Sequence, residues 1–338
     1  KLDIVNVPYR SNPLGLTDVM AGRDSYQLEE IFLGLGRFLF HELLVNGKLL
    51  ATIVLLTVFS MILETLQSAF QRNTVSQIAY AITYMVLIII AMNSFNLAIE
   101  YAKSAISSMI HFMVAMVPLL LTLLASMGNL VTVTVMHPLI VFMIHTVGTV
   151  IYVVIFPLLF LSAVLHIVSS MTDKYKVTQL ANLLRNVSVA MLGVMLAIFL
   201  GVISVQGATS AATDGVTIRT AKYITGNFVP VVGKLFSDAT DTVIGASLLV
   251  KNSIGLIGVI IIVLLCAFPA LKILALAFIY NISAAVMQPL GESPIVVCLQ
   301  TIGKSMIYIF AALAAVGLMF FLAITILITA GNVSVMMR

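Results

Sequence analysis

Apolar residues run along this chain in long unbroken stretches, with polar residues gathered in the gaps between them. From Lys103 to Asp173 there are 69 consecutive residues without Asp, Glu, Lys or Arg. Water cannot solvate such a stretch, and at about 20 apolar residues per crossing of about 30 Å it is long enough for about three spanning helices. Strands of a membrane barrel would alternate apolar and polar residues in segments of about ten. These runs are instead continuous and rich in Leu, Ile, Met and Ala. The pattern predicts an all-α, polytopic helical membrane protein with additional amphipathic interfacial helices.

The elements follow from where the runs stop. Residues 1–25, with Pro8, Pro13, Gly15, Asp18, Gly22 and Asp24, read as a polar extracytoplasmic lead. From Tyr26, Leu28, Ile31, Phe32, Leu35, Phe38, Leu39 and Leu43 recur at helical spacing while Glu29, Glu30, Arg37 and Glu42 fall elsewhere on the wheel. This is an amphipathic helix over 26–47, lying on the membrane surface or packed on the bundle. Spans are expected over 49–66, 78–97, 105–127, 130–150, 152–171 and 190–205, the first six of about nine crossings, with seven or eight as alternatives. Their breaks are placed at Glu100 and Lys103, at Gly128-Asn129 and near Gly148. Pro118, Pro138 and Pro157 are tolerated inside such helices and kink them.

The segment 207–253 is the least membrane-like part of the interior. Ile224, Phe228, Val231, Val232, Leu235 and Phe236 make one apolar stripe, interrupted by Gly226, Pro230 and Gly233. A broken amphipathic or re-entrant segment is expected there. Beyond it, 254–289 carries Lys272 as its one charge, three residues after Pro269. Two short spans turning at 269–272, or one long tilted helix, both fit. A last span over 306–330 completes the count. The expected organisation is a lead (1–25), a surface helix (26–47), an N-terminal bundle (48–206), the broken segment (207–253) and a C-terminal hairpin with a final span (254–338).

Composition agrees, with 61% hydrophobic and 9% charged residues and a mean hydropathy of +1.17. Charge then adds sidedness. Asp173–Asn186 holds Lys174, Lys176 and Arg185 in one short connection, which the positive-inside rule places in the cytoplasm. Counting crossings from the first span gives an extracytoplasmic N-terminus and a cytoplasmic C-terminus. Because the chain starts at Lys1 without Met, any secretion signal is expected to have been removed already. The net charge of +4 is scattered, so no nucleic-acid partner is expected. Cys266 and Cys298 lie in apolar surroundings and frame neither a disulfide nor a metal cluster.

Candidate chemistry is sparse. Gly303-Lys304-Ser305 resembles the end of a phosphate-binding loop, but Cys298 stands where the first Gly is needed and no strand precedes it. Asp238 and Asp241, at i and i+3, share a helical face and suit a cation, although capping or a solvated face explains them more simply. His111, His137, His145 and His166 are read first as hydrogen-bonded packing residues and second as proton relays. Glu64 and Lys272 are charges in or near the membrane, and both can reach an interface. Gly255, Gly258, Ala311, Ala315 and Gly317 suit close helix packing or subunit contact. No nucleophile with a neighbouring base and no Gly-rich phosphate cradle appears, so no enzyme, cofactor or metal is expected.

The runs KVTQLANLLRN at 176–186, FLGVISVQGA at 199–208 and TDGVTIRTAKYITGNFVPVVGKLFSDATDTV at 213–243 closely resemble the stage III sporulation protein AE family of endospore-forming bacteria. LFHELLVNGKLL at 39–50 and YMVLIIIAMNSF at 84–95 extend the resemblance over nearly the whole chain from about residue 35. It implies a multi-pass protein of the mother-cell membrane around the forespore. Its partners would be the ring-forming and membrane proteins of one complex, a secretion-type ATPase and a forespore membrane partner, besides the lipid bilayer. The complex would form a conduit. Homo-oligomerisation is left open.

Under that resemblance Arg219, Lys222, Lys234, Asp238 and Asp241 become candidates for a gate or partner contact. Glu64, Asn93, Asn96, Gln206 and Lys272 are the candidate intramembrane polar residues, and three of them, Asn93, Asn96 and Gln206, would line a path in a permease-like subunit. The alternative is a scaffold that anchors the ATPase and rings, with its polar residues satisfied inside the bundle. A continuous polar face across several spans argues for the first, and single polar residues at helix contacts argue for the second.

Overall fold

Long rods dominate the architecture because charged residues that punctuate hydropathy do not end helices: Glu and Lys are good helix formers. The computed structural model describes residues 28–69, 74–171, 176–228, 232–290 and 293–336, all in or between helices. In order these are α1 (Leu28–Val45), α2 (Gly47–Ala69), α3 (Thr74–Ser126), α4 (Leu130–Val150), a π turn (Ile151–Ile155), α5 (Phe156–Met171), α6 (Thr178–Phe228), α7 (Val232–Met287), a 3-10 turn (Gln288–Leu290) and α8 (Pro294–Met336). The predicted lead over 1–25 and the Pro230 break lie outside the described residues, as do the side chains of Glu64, Lys222, Lys234, Asp238 and Asp241.

Among the described residues five helical stretches are long and apolar enough to cross a membrane: Ile78–Ser126, Leu130–Ser170, Thr178–Thr220, Thr242–Met287 and Pro294–Asn332. The pair α1 and α2, bent by 53°, makes a sixth if counted as one span. This corrects the expectation of about nine crossings. The spans expected over 78–97 and 105–127 are the two halves of α3, which runs straight through Glu100 and Lys103. Those over 130–150 and 152–171 are joined by the π turn, and 254–289 is one helix through Pro269 and Lys272 as far as Met287. At 1.5 Å per residue, the 53 residues of α3 and 56 of α7 reach about 80 Å.

Two local devices shape the rods. Pro157 has no N–H to give the carbonyl of Val153, and the ladder just before it widens, with the Phe156 N–H bonding Ile151 O; a proline and a π turn are two of the recognised causes of such irregularity. Between α3 and α4, Gly128 adopts φ 83°, its N–H bonds Ala125 O at 2.9 Å, and the Asn129 N–H bonds Leu124 O at 3.0 Å. These are the paired bonds of a Schellman cap, whose left-handed residue favours Gly. The predicted break at Gly128-Asn129 is therefore found where the sequence placed it.

α8 forms the axis of the bundle, packed by α7, α6, α3 and α5. Its Cys298, Ile302, Met306, Ile309, Leu313 and Phe320 are fully buried. In lipid, packing rather than hydrophobic transfer holds helices together, so close approach at small residues matters. A Cβ on Gly317 would stand 2.7 Å from the Cys266 Sγ, and one on Gly258 would stand 2.5 Å from the Met116 Cε; Gly255 is pressed against Ile328.

Candidate functional site

Two kinds of polar position occur on these rods: isolated ones inside the bundle and a continuous series on its outside. Inside, several are met by a neighbouring helix. The Tyr280 hydroxyl of α7 donates to Ser94 Oγ of α3 at 2.9 Å, and the hydroxyls of Tyr84 (α3) and Ser170 (α5) lie 2.8 Å apart. His166 of α5 pairs through Nδ1 with Ser162 O at 2.8 Å and through Nε2 with Asn182 Oδ1 of α6 at 3.2 Å. The Gln206 side chain, half-buried, donates to Ser210 on its own helix at 3.3 Å.

Among the described residues two charged side chains are fully enclosed, and neither stands among the positions expected from the sequence. Asp214 of α6, 1% exposed, accepts the backbone N–H of Val131 through Oδ1 and that of Thr132 through Oδ2, each at 2.9 Å. Helix α4 thus starts on a carboxylate from another rod, which suits the positive end of its dipole. Lys251 of α7, 0% exposed, donates to Ile328 O at 2.8 Å and to Asn332 Oδ1 at 2.9 Å near the end of α8. Room for its ammonium exists because residue 331 is Gly. The adjacent Asn252 Oδ1 is buried without a partner. One signal was available: Asp214 is the sole acid between Asp173 and Asp238.

Outside, α3 carries a polar stripe. Asn93, Asn96, Glu100, Lys103, Ser104, Ser108 and His111 are all exposed, whereas Ser94, Ala98, Ala102 and Ile106 on the opposite face are buried. The stripe covers 18 residues of rise, about 27 Å. Apolar side chains flank it on the same face, with Ile82, Met85 and Ile89 before it and Val114 and Leu119 after it. Asn93 and Asn96 therefore point out of the bundle rather than into an internal path.

The other expected positions fall as follows. Lys272 is half-buried on one long helix, the second of the two expected arrangements, with its ammonium 5.3 Å from the centre of the Tyr101 ring, a cation–π contact. Arg219 is exposed. Gly303-Lys304-Ser305 lies within α8, where no loop can wrap a phosphate. His145 bonds the carbonyl of Val141 within its helix, and His111 and His137 are exposed. Cys266 and Cys298 are unpaired thiols. Among the described residues, no three His, Cys, Asp or Glu side chains gather as a metal site.

A bundle of long apolar rods, locked internally by single polar contacts and open on one polar face, defines a multi-pass helical membrane protein. Comparison with known proteins places it further. The model of the stage III sporulation protein AE family matches residues 14–331. Stage III sporulation protein AE of Bacillus subtilis (strain 168) is 58% identical over 323 residues, covering 96% of this chain and 81% of that relative. The chain belongs to the stage III sporulation protein AE family. No solved structure matches it.

Proposed function

We propose that the protein is a non-enzymatic, permease-like core subunit of a sporulation transport complex that links mother cell and forespore across the mother-cell membrane, and that the conduit runs between subunits. The α3 stripe carries this reading. Unpaired Asn and His side chains facing lipid are costly, so a polar series of this length on an outward face is matched to water or to other protein. Ring-forming proteins, a secretion-type ATPase and a forespore membrane protein are the partners that the family resemblance suggests. Exposed Arg219 remains a candidate partner contact, with Lys222, Lys234, Asp238 and Asp241 in the same part of the chain.

The scaffold reading is favoured by a different observation, the pairing of interior polar groups across helix contacts, such as Tyr280 with Ser94. Single cysteines at Asn96, Ser104 and His111, in a chain whose own two cysteines are replaced, separate the two readings. In sporulating cells a membrane-impermeant maleimide should label these positions in the assembled complex and arrest sporulation, while cysteines at the outward-facing apolar positions Phe142 and Leu264 stay unlabelled. Labelling confined to cells lacking the partner proteins would mean that the stripe is a binding face, and the scaffold would stand instead.

A further inference from the structure

Among the described residues, Arg185 is a cation without an anion. It lies on α6 two turns in from Thr178, half-buried, with its guanidinium 5.3 Å from the centre of the Tyr308 ring on α8. Its Nε is closed off from solvent and donates to no acceptor. Neither α5 nor α8 carries an Asp or Glu. The acid of α6, Asp214, lies about 43 Å further along the rod and is committed to α4. The connection before α6 holds Asp173 but also Lys174 and Lys176, so it brings net positive charge. On α8, Lys304 stands one turn before Tyr308 and is exposed. The groove between α6 and α8 thus offers a planar guanidinium fork, an ammonium and a phenolic hydroxyl, the donor set that suits a phosphate.

The height of this groove indicates which phosphates meet it. Ser162 of α5 bonds Ala181 of α6, one turn before Arg185, and the nearby Phe160 meets Phe95 of α3 with tilted rings whose centres are 6.1 Å apart. Arg185 therefore lies level with residues 97–101 of α3. At that level Tyr101 meets Lys272, Glu42 of α1 and Glu100 lie within electrostatic reach of the same ring, the Tyr152 hydroxyl donates to Lys103 O, and Phe38 of α1 meets Phe268 edge-on at 5.1 Å. Tyrosines, snorkelling cations and a bent-away helix at one level mark a membrane–water interface. On one side of this waist, residues 104–126, 130–155, 186–213, 252–271 and 305–332 hold no Asp, Glu, Lys or Arg. That layer ends at Asp214 and Lys251 and is about 30–40 Å thick, one bilayer.

We propose that Arg185, Lys304 and Tyr308 form a binding site for a phosphate group, supplied by the headgroup of an anionic membrane lipid seated between α6 and α8 at the waist. The guanidinium, held over the Tyr308 ring, grips the phosphate oxygens, and Lys304 closes the outer side.

Native mass spectrometry of the purified full chain tests this, with phosphatidylglycerol, phosphatidylcholine and inorganic phosphate as probes. The wild-type protein should retain phosphatidylglycerol over phosphatidylcholine, and Arg185→Gln should weaken that retention at least fivefold. Lys304→Gln, at an exposed position, should weaken it about threefold and serves if Arg185→Gln does not fold. Lys272→Gln, on another face of the waist, should leave it unchanged. Displacement of the lipid by inorganic phosphate at equal concentration would keep the phosphate site and overturn the lipid as its source. Equal retention of both lipids, or equal retention of phosphatidylglycerol by wild type, Arg185→Gln and Lys304→Gln, would overturn the site.

Discussion

The buried carboxylate of Asp214 holds the first turn of α4 through Thr132, whose backbone N–H lies 2.9 Å from Oδ2, with Val131 held by Oδ1 at the same distance. Asn129, the residue before α4, offers no side-chain cap of its own. The rod that follows a Gly turn in sequence is thus started by a residue from a different rod.

Asp214→Ala should therefore cost about 2 kcal/mol, because a buried and a part-buried N–H group lose a charged acceptor. Asp214→Asn keeps one acceptor and should cost less. Thermal unfolding in detergent reads the order wild type, Asn, Ala; equal midpoints for wild type and Ala would show that water fills the place of the carboxylate.

Lys251 and Asn332 give an asymmetric pair of outcomes. Asn332→Leu leaves a buried ammonium with one carbonyl and should cost about 2–3 kcal/mol. Lys251→Met removes the buried charge together with its desolvation and should fold with stability close to wild type, since an apolar replacement of a buried ion is often neutral or better. A larger loss for Lys251→Met than for Asn332→Leu would reverse this account.

Packing predicts a difference between two glycines. Gly258→Ala should be mild, because the atom in its way is the mobile end of Met116. Gly317→Ala meets both Sγ and Cβ of Cys266 and should cost about 1–3 kcal/mol. Adding Cys266→Ala should recover part of that loss, a coupling that a double-mutant cycle measures.

The polar stripe makes a prediction about assembly instead of stability. Asn93→Leu with Asn96→Leu should leave the unfolding midpoint of the isolated protein within about 0.5 kcal/mol equivalents, as exposed sites do, while lowering sporulation. Normal spore yield from the double variant would remove Asn93 and Asn96 from any functional face.

Much of the fold was legible because apolar runs in lipid admit few structures: the helical class, the Gly128 break and the packing glycines all follow from it. The count of crossings was not, since Glu100, Lys103 and Lys272 look like ends on a hydropathy trace, yet a side chain that reaches an interface leaves the backbone helical. For the candidate site, the residue types at 93 and 96 pointed to polarity, but which side of α3 they face depends on what packs against Ser94 and Ala98. Asp214 escaped notice because its partners are backbone amides 82 and 83 residues away, which no residue type reveals.

The π turn at 151–155 gives the fourth and fifth helices an unequal relation to mutation. One extra residue in the ladder resets the phase of everything after it by about 100°. A single-residue deletion within these five positions would be absorbed by a return to ordinary winding and leave α5 in place, whereas the same deletion elsewhere in α4 would swing α5 as a block, carrying Ser162 away from Ala181 and His166 away from Asn182. In this rod, then, reading frame and packing register are tied together everywhere except at the π turn, the one place where the loss of a codon leaves the contacts of α5 intact.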